Sequence, residues 1–461
     1  MTYYILTIDF GSTYTKGVLL DREKEVVISQ ATVNTYSKAN LLDSYQELNG
    51  VLAQKLKIDK LKIDQTLICS SAFGGFKMVA IGLTNSLTAD AARKVALGAG
   101  TRILKTYAYA LSFEDIQEIN TLKPDVILLT GGVNGGNTSF ILMCAQRLTA
   151  LEDDIPIIVA GNSLAIPELK NILSQRNYVI SENVLPKVNC LQTTKTRQLL
   201  RRIFFDKIIY AKGLEEIAKL SDSPIIPTPM AVLEAAKLLS EGTSYEDGIG
   251  SVAIVDIGGA TTDVHSASNG LTAEEDVLYE GLPEPFLKRT VEGDLGMRYS
   301  AVSLMETAGI ASFSDFSGQA YDERQIRQFC LKREQTPEFI PASIVERDFD
   351  CLMAKVATRI AVKRHAGTIR RERHPHHDTY YQKGKDLRHL SALIGTGGVM
   401  IHSGQAREIL EAALQKEQEH LMPKTPQLYI DGSYLLSSLG LLSEQYPCVA
   451  LRMLKKSLIP L

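Results

Sequence analysis

The 461-residue chain has no tryptophan and no two cysteines in a CxxC spacing. Its six cysteines stand alone at 69, 144, 190, 330, 351 and 448. That scatter excludes a zinc ribbon, a thioredoxin-type motif and an iron–sulfur cluster held by this chain alone. Isolated cysteines over such a length predict a reduced, cytoplasmic protein. The opening MTYYILTIDFGS lacks the basic n-region and long apolar core of a signal peptide. No run of about 18 uncharged apolar residues occurs, so no membrane span is expected. A charge excess is missing too: 53 acidic against 50 basic side chains leave a net charge of −3. Neither nucleic acid nor an anionic membrane finds a cationic field here. What is present, 45% hydrophobic and 22% charged residues, is ordinary globular composition. At roughly 100–200 residues per domain, the length predicts two to four domains.

The first ninety residues read β-β-β-α-β-β. Apolar runs at Tyr3–Asp9, Lys16–Leu20 and Glu25–Ala31 are followed by helical spacing over Leu41–Leu56, then strands at Thr66–Ser70 and Met78–Thr84. From Thr88 helix and strand alternate, with buried-type strands at Asp125–Thr130 and Ile155–Ala160, which predicts parallel βαβ units. At Gly250 the strand-rich pattern restarts. SVAIVDIGGATTDVHS resembles the opening ILTIDFGSTYTKGVLL, and the two strand-end aspartates, Asp9 and Asp256, lie 247 residues apart. A repeat at that distance indicates two related domains, since solenoid periods run about 20–50 residues.

Asp9 to Lys16 is the first constellation that carries chemistry. A carboxylate at a strand end suits hydrated Mg²⁺. The Gly11-Ser12-Thr13 turn brings amides and hydroxyls near a phosphate, and Lys16 could reach an outer phosphate as a point charge. A plain hairpin turn with an incidental carboxylate would look the same in isolation. Asp256-Ile257-Gly258-Gly259-Ala260-Thr261-Thr262-Asp263 repeats the device with a second aspartate. Two such loops, facing each other, would clamp phosphates from both sides. Gly395-Thr396-Gly397-Gly398 follows an apolar run and would let a flat base lie against backbone, or form a tight strand-to-helix turn. Asp431-Gly432-Ser433 precedes a Ser- and Leu-rich helix suited to close packing, or to ordinary capping.

Together these motifs resemble the actin-like ATPase superfamily of sugar kinases, DnaK-type chaperones and actin. Asp9–Lys16 is similar to its first phosphate motif, Asp256–Asp263 to its second, Gly395–Gly398 to its adenosine motif and Asp431–Leu442 to its second connecting segment. Ile225–Ala231 is similar to the chaperones' first connecting segment, but Thr228 stands where their Glu usually precedes the proline; Glu234 is a weak substitute. Within the superfamily the chain resembles the glutamate mutase-associated MutL family, unrelated to the mismatch-repair protein of that name. The strings that carry this are IDFGSTYTK (8–16), SSAFGGFKM (70–78), PDVILLTGGVNGGN (124–137), PTPMAVLEAAKLL (227–239), VDIGGATTDVHS (255–266) and RIAVKRHAG (359–367). The resemblance implies an ATP-driven reactivating chaperone that exchanges damaged cobalamin from an adenosylcobalamin-dependent aminoacid mutase, with ATP and Mg²⁺ as cofactors and the mutase subunits as partners.

The expected fold is α/β: duplicated RNase H-like lobes with an inserted α/β unit in the first half. The first lobe is expected at 1–87 and 193–247, the inserted unit at 88–192, and the second lobe at 248–461 with a helical insertion at about 301–388. Asp9 and Asp256 are expected to orient Mg²⁺. Gly11, Ser12, Thr13, Gly258, Gly259 and Thr261 would hold phosphates, with Lys16 neutralising charge and Asp263 orienting a water. Gly395, Gly397 and Gly398 would back the adenosine. The inserted Gly131–Gly136 loop reads as a crossover turn, or as a ligand loop at a strand's carboxyl end. The chain lacks a DxHxxG string, so cobalamin held base-off through histidine is not expected. His374-Pro375-His376-His377-Asp378 is read as a solvated loop rather than a metal cluster. Lys355, Arg359 and Lys363 share a helix face that could reach a nucleotide or simply face water. A small-molecule kinase on the same fold is the main rival; a filament-forming protein and an iron–sulfur dehydratase activator have less behind them.

Overall fold

The computed structural model describes the chain apart from residues 1–2, 12–13, 36–40, 72–75, 85–86, 100, 211–213, 273, 275, 318–320, 375–377 and 416, and the side chains of 208–210 and 214–215. It divides into two units. One comprises residues 1–231 with 281–285, the other residues 232–280 with 286–461.

In the first unit, β1 (Tyr4–Phe10), β2 (Tyr14–Asp21) and β3 (Val26–Asn34) form an antiparallel meander, and α1 (Leu41–Leu56) crosses to β4 (Gln65–Ser70). The chain continues through β5 (Lys77–Gly82), α2 (Thr88–Gly98), β6 (Arg102–Ala108), α3 (Phe113–Leu122), β7 (Val126–Leu129), α4 (Ser139–Leu148), β8 (Ile157–Val159), α5 (Ile166–Ile172) and β9 (Tyr178–Ile180). Then α6 (Thr194–Tyr210) and α7 (Leu214–Leu220) lead to β10 (Ile226–Pro227) and α8 (Thr228–Glu241), which passes into the second unit. The first sheet runs β3-β2-β1-β4-β10, with β4 parallel to both β1 and β10.

A separate all-parallel sheet runs β6-β5-β7-β8-β9. Met78–Thr84, read from the sequence with the first lobe, is β5 and pairs in this sheet with β6 and β7. A run buried on both faces carries no alternation, so its sequence does not say which sheet it joins. Indeed Met78, Ala80, Val126 and Leu128 enter one core while Val79, Ile81, Ile127 and Leu129 enter another.

The second unit contains β11 (Val252–Ile257), β12 (Thr262–Ala267), β13 (Val277–Tyr279) and β14 (Leu287–Glu292). The helices α9 (Ala301–Phe316), α10 (Glu323–Gln335) and α11 (Ile344–His365) follow, then β15 (Thr368–Arg373) and β16 (Asp378–Lys383). It ends in β17 (Ala392–Thr396), α12 (Gly398–His402), α13 (Ala406–Glu411), β18 (Gln427–Asp431), α14 (Leu436–Ser443), α15 (Pro447–Ser457) and β19 (Leu458–Pro460). Its main sheet is β14-β12-β11-β17-β18-β19. Apart from the added β19, this repeats the first sheet strand for strand: three antiparallel strands, then two parallel ones beside the first. The architecture is α/β, a duplicated RNase H-like core with an α/β insertion.

Strands β15 and β16 flank the His374–Asp378 stretch as a hairpin, joined by β13 into a three-stranded sheet; of the stretch read as a solvated loop, residues 375–377 lie outside the described residues and Asp378 opens β16. The hairpin strands carry no apolar face to announce them. Charge pairing substitutes: Arg371 meets Asp378 across the hairpin, and the Arg370 guanidinium lies 4.2 Å over the Tyr381 ring.

Candidate functional site

Asp9 is the penultimate residue of β1 and faces Lys16 across the antiparallel pair with β2. The Gly11 amide donates to the Tyr14 carbonyl at 3.0 Å and closes the turn. A Cβ on Gly11 would stand 2.6 Å from that oxygen, so the turn requires glycine. Ser12 and Thr13 lie outside the described residues. Behind the turn, the Thr228 hydroxyl donates to Asp9 Oδ1 at 2.6 Å. Parallel pairing of β10 and β1 with β4 sets Cys69 beside Asp9 and Ile226. Burial, then the Asp9 carboxylate, pushes the Cys69 thiol well above its usual range, which makes it an inert, protonated neighbour.

The second half repeats this construction. Asp256 on β11 faces Asp263 on β12, and the Gly258 amide donates to the Thr261 carbonyl at 2.9 Å. The repeat therefore extends from the sequence to the hydrogen bond, with 11→14 in one half and 258→261 in the other. The residue opposite the strand-end aspartate differs. Lys16 fills that place in the first unit. In the second, Asp263 accepts from Arg289 Nε at 3.2 Å and Nη2 at 3.0 Å, and from the Thr261 hydroxyl at 3.0 Å. Asp263 is thus tied by an ion pair with both partners largely buried, and Thr261 spends its hydroxyl proton on it. Gly258 and Gly259 are held from behind, their carbonyls accepting from the amides of Met297 at 3.1 Å, Arg298 at 2.7 Å and Tyr299 at 2.9 Å.

The three expected adenosine glycines have three different surroundings. Gly395 is buried in β17, and a Cβ there would stand 3.0 Å from Met400 Sδ and 3.3 Å from Leu410. It serves the core. Gly397 has φ +106, and its Cβ would come within 2.3 Å of the Ile257 carbonyl at the end of β11. Gly398 is exposed, with Tyr434 Oη, 3.7 Å from where its Cβ would be, as the nearest atom. Asp431 caps α14, accepting from the amides of Leu435 at 2.8 Å and Leu436 at 3.2 Å, and from the Thr396 hydroxyl at 3.3 Å. So Asp9, Gly11 and Lys16 are gathered in the first unit. Asp256, Asp263, Gly258, Gly259, Thr261, Gly395, Gly397 and Gly398 are gathered at the β11–β12–β17 end of the second.

A family model described as MutL protein matches residues 5–458. The chain is also 42% identical over 463 residues to Protein MutL of Clostridium tetanomorphum, covering all of both chains. The chain belongs to the MutL protein family. Among solved structures it is similar to acetone carboxylase in a nucleotide-free structure, at 12% identity and a TM-score of 0.42, over 96% of this chain and 70% of that one. It is also similar to the activator of 2-hydroxyisocaproyl-CoA dehydratase from Clostridium difficile with bound ADPNP, at 11% identity and a TM-score of 0.33, over 99% of this chain and 96% of that one. The family assignment rests on the sequence matches alone.

Several residues around these turns carry little or no signal in the sequence that marks them as part of the site. Arg289 sits in an ordinary-looking strand, LKRTVE, and only pairing of β14 with β12 brings it to Asp263. Gly296 precedes the segment that holds the glycine turn, and a Cβ there would strike Ala260 at 2.4 Å. The spacing GDLG was its one signal. Tyr434 follows the Asp-Gly-Ser turn with φ +53. Burial, with Asp256 and Asp431 nearby, pushes its phenol up to about 12. The basic stripe on α11 is committed within the unit: Lys355 to Glu408 at 2.5 Å, Arg359 to the Leu414 carbonyl at 2.6 Å and Lys363 to Glu417 at 2.7 Å. These bonds leave no reason to assign the stripe to a nucleotide.

Proposed function

We propose that this MutL-family protein is an ATPase that reactivates an adenosylcobalamin-dependent aminoacid mutase, glutamate mutase first among them, by coupling ATP binding and hydrolysis to release of damaged cobalamin. The full-length match to Protein MutL carries the reading. The duplicated aspartate–glycine turn supplies its chemistry. Asp9 and Asp256 are half-buried carboxylates at strand ends, each followed by a glycine turn; a Cβ on Gly11 would stand 2.6 Å from the Tyr14 carbonyl and one on Gly258 3.1 Å from the Thr261 carbonyl. Hard oxygen donors that keep partial access to water fit Mg²⁺, which retains most of its hydration shell. Held by these carboxylates, Mg²⁺ would supply charge neutralisation for the phosphates.

In this reading Asp9 in the first unit and Asp256 in the second can each hold waters of a cation, the turns at Gly11 and at Gly258–Gly259 each admit phosphate close to backbone, and Lys16 balances negative charge in its own unit. Asp263 acts with Arg289 as a fixed ion pair that sets the turn, rather than as a free acceptor. Positioning and charge neutralisation suffice for phosphoryl transfer, so no covalent nucleophile is needed. Hydrolysis does work on a partner only through states that bind it with different affinity. Among the described residues no helix is long and apolar enough to cross a membrane.

The test is reactivation. Glutamate mutase blocked with an inert cobalamin is given fresh adenosylcobalamin, this protein and either Mg·ATP or a non-hydrolysable analogue. Recovery with Mg·ATP alone supports the proposal. Hydrolysis without recovery overturns glutamate mutase as client, and appearance of a phosphorylated small molecule would make the protein a kinase.

A further inference from the structure

In the second unit, β11, β17 and β18 lie side by side and parallel, so their carboxyl ends form one rim. Three features stand on that rim in strand order: Asp256 on β11, Gly397–Gly398 after β17, and the Asp431–Tyr434 turn after β18. Rims of this kind, at the carboxyl ends of parallel strands, are where α/β sheets bind ligands. Tyr434 is the side chain that spans it. Its backbone is left-handed, at φ +53, and its amide donates to the Asp431 carbonyl at 3.3 Å. From the β18 end the phenol reaches back over β17, because its oxygen is the nearest atom to the open side of Gly398. It also lies within the field of Asp256, one strand further on. A non-glycine residue held left-handed costs of order 1 kcal/mol, and such positions concentrate at ligand sites.

Resting on the nucleotide reading above, we propose that Tyr434 binds the nucleoside part of the nucleotide, donating its hydroxyl to the ribose. The assignment follows from position along the rim. If Asp256 serves the cation on the outer phosphates and Gly398 backs the adenosine, the phenol oxygen, the nearest atom to the open side of Gly398, meets the nucleoside rather than the outer phosphates. A phenol is a neutral donor, suited to a ribose hydroxyl, and adds no charge near Asp256. Tyr434 therefore selects for a nucleoside attached to the phosphates, while the aspartate–glycine turns see phosphates alone.

Tyr434→Phe in the full-length protein tests this. One lost hydrogen bond should raise the Kd for ATP and for ADP about tenfold each, and the KM for ATP alike, with kcat at saturating ATP held within about twofold. Inorganic tripolyphosphate with Mg²⁺ should inhibit the wild type and Tyr434→Phe equally, since it has no ribose. Unchanged ATP and ADP affinity, or an equal loss of tripolyphosphate affinity, would overturn the proposal. Tyr434→Leu, with the same readouts, guards against a variant that merely fills the space differently. Asp256→Asn is run alongside. If it leaves nucleotide binding and hydrolysis intact, the nucleotide reading itself fails. If Asp256→Asn disables the protein and Tyr434→Phe does not, the role given to Tyr434 is what falls.

Discussion

Thr228 donates its hydroxyl to Asp9 Oδ1 at 2.6 Å, across 219 residues of sequence. The bond fixes one oxygen of the carboxylate and thereby sets the direction of the other. It arises because β10, only two residues long, pairs in parallel with β4 and delivers the start of α8 to the end of β1. The residue at this position is a hydrogen-bond donor and not a carboxylate, so it orients Asp9 and cannot itself act as a general base.

Thr228→Val should therefore weaken use of the cation rather than the fold. Hydrogen bonds to charged groups contribute about 1.5–3 kcal/mol, which corresponds to about ten- to hundredfold in turnover at limiting Mg²⁺. Thr228→Ser, which keeps the hydroxyl, should restore most of it. Mg²⁺ titrations of ATP hydrolysis, with thermal melts alongside, separate the possibilities. A lowered melting point with an unchanged Mg²⁺ requirement would assign Thr228 to structure alone.

The Asp263–Arg289 pair predicts a different behaviour. Both side chains are largely buried, at 14% and 7% exposure, and removing one member of such a pair typically costs about 3–5 kcal/mol because the other charge is stranded. Asp263→Ala should lower the denaturation midpoint of the second unit as well as activity. The double variant Asp263→Ala/Arg289→Met should regain stability without regaining hydrolysis. If Asp263→Ala keeps full stability and loses only activity, Asp263 acts directly on the reactants and the ion pair is secondary.

The duplication was legible because Asp9 and Asp256 each end an apolar strand, followed by the same small-residue turn and a second strand. That pattern is local, and local patterns survive in sequence. Gly397 was legible as a turn for the same reason. The neighbours that decide what the turns do are not local. Thr228, Arg289 and Tyr434 reach their places through parallel strand pairing or through β12–β14 pairing, and nothing in their flanking residues announces a partner 219 or 26 positions away. Gly395 shows the converse. Its motif suggests a ligand, yet side-chain alternation along β17 turns it into the core against Met400 and Leu410. Charged strands such as β15 and β16 were missed because hydrophobic periodicity is silent where both faces are polar.

Two buried histidines make stability depend on pH. His365 is held by Ser266 Oγ at 2.8 Å and Thr290 Oγ1 at 2.9 Å. Burial, reinforced by Lys288 and Lys385, pushes it well below its usual range; burial and then Arg289 do the same to His265. A depressed histidine stays neutral in the folded chain while the unfolded chain takes up a proton below pH ~6.5. Their contribution is thus complete above that pH and is lost as pH falls through it. The slope is about 1.4 kcal/mol per pH unit for each histidine once the unfolded imidazole is protonated. Denaturant melts at pH 7.5, 6.5 and 5.5 should show falling stability over the lower interval, and His365→Gln should flatten that fall by one proton. A wild-type profile level from 7.5 to 5.5 would contradict the burial of both rings.

Gly397 and Gly398 are adjacent, and their substitution should separate folding from binding. An alanine at Gly397 would place its methyl 2.3 Å from the Ile257 carbonyl while holding φ at +106. Backbone strain and clash together should cost a few kcal/mol and lower the melting point whether or not nucleotide is present. An alanine at Gly398 meets only the Tyr434 hydroxyl, at 3.7 Å, which is ordinary contact. The fold should tolerate it. If the adenosine lies against this residue, the added methyl pushes the base away, and ADP should stabilise Gly398→Ala far less than it stabilises the wild type. Thermal melts of both variants with and without Mg·ADP read the two effects at once. An unaltered ADP-induced shift in Gly398→Ala would move the adenosine elsewhere and leave the glycine run as a strand-to-helix turn that Gly397 alone requires.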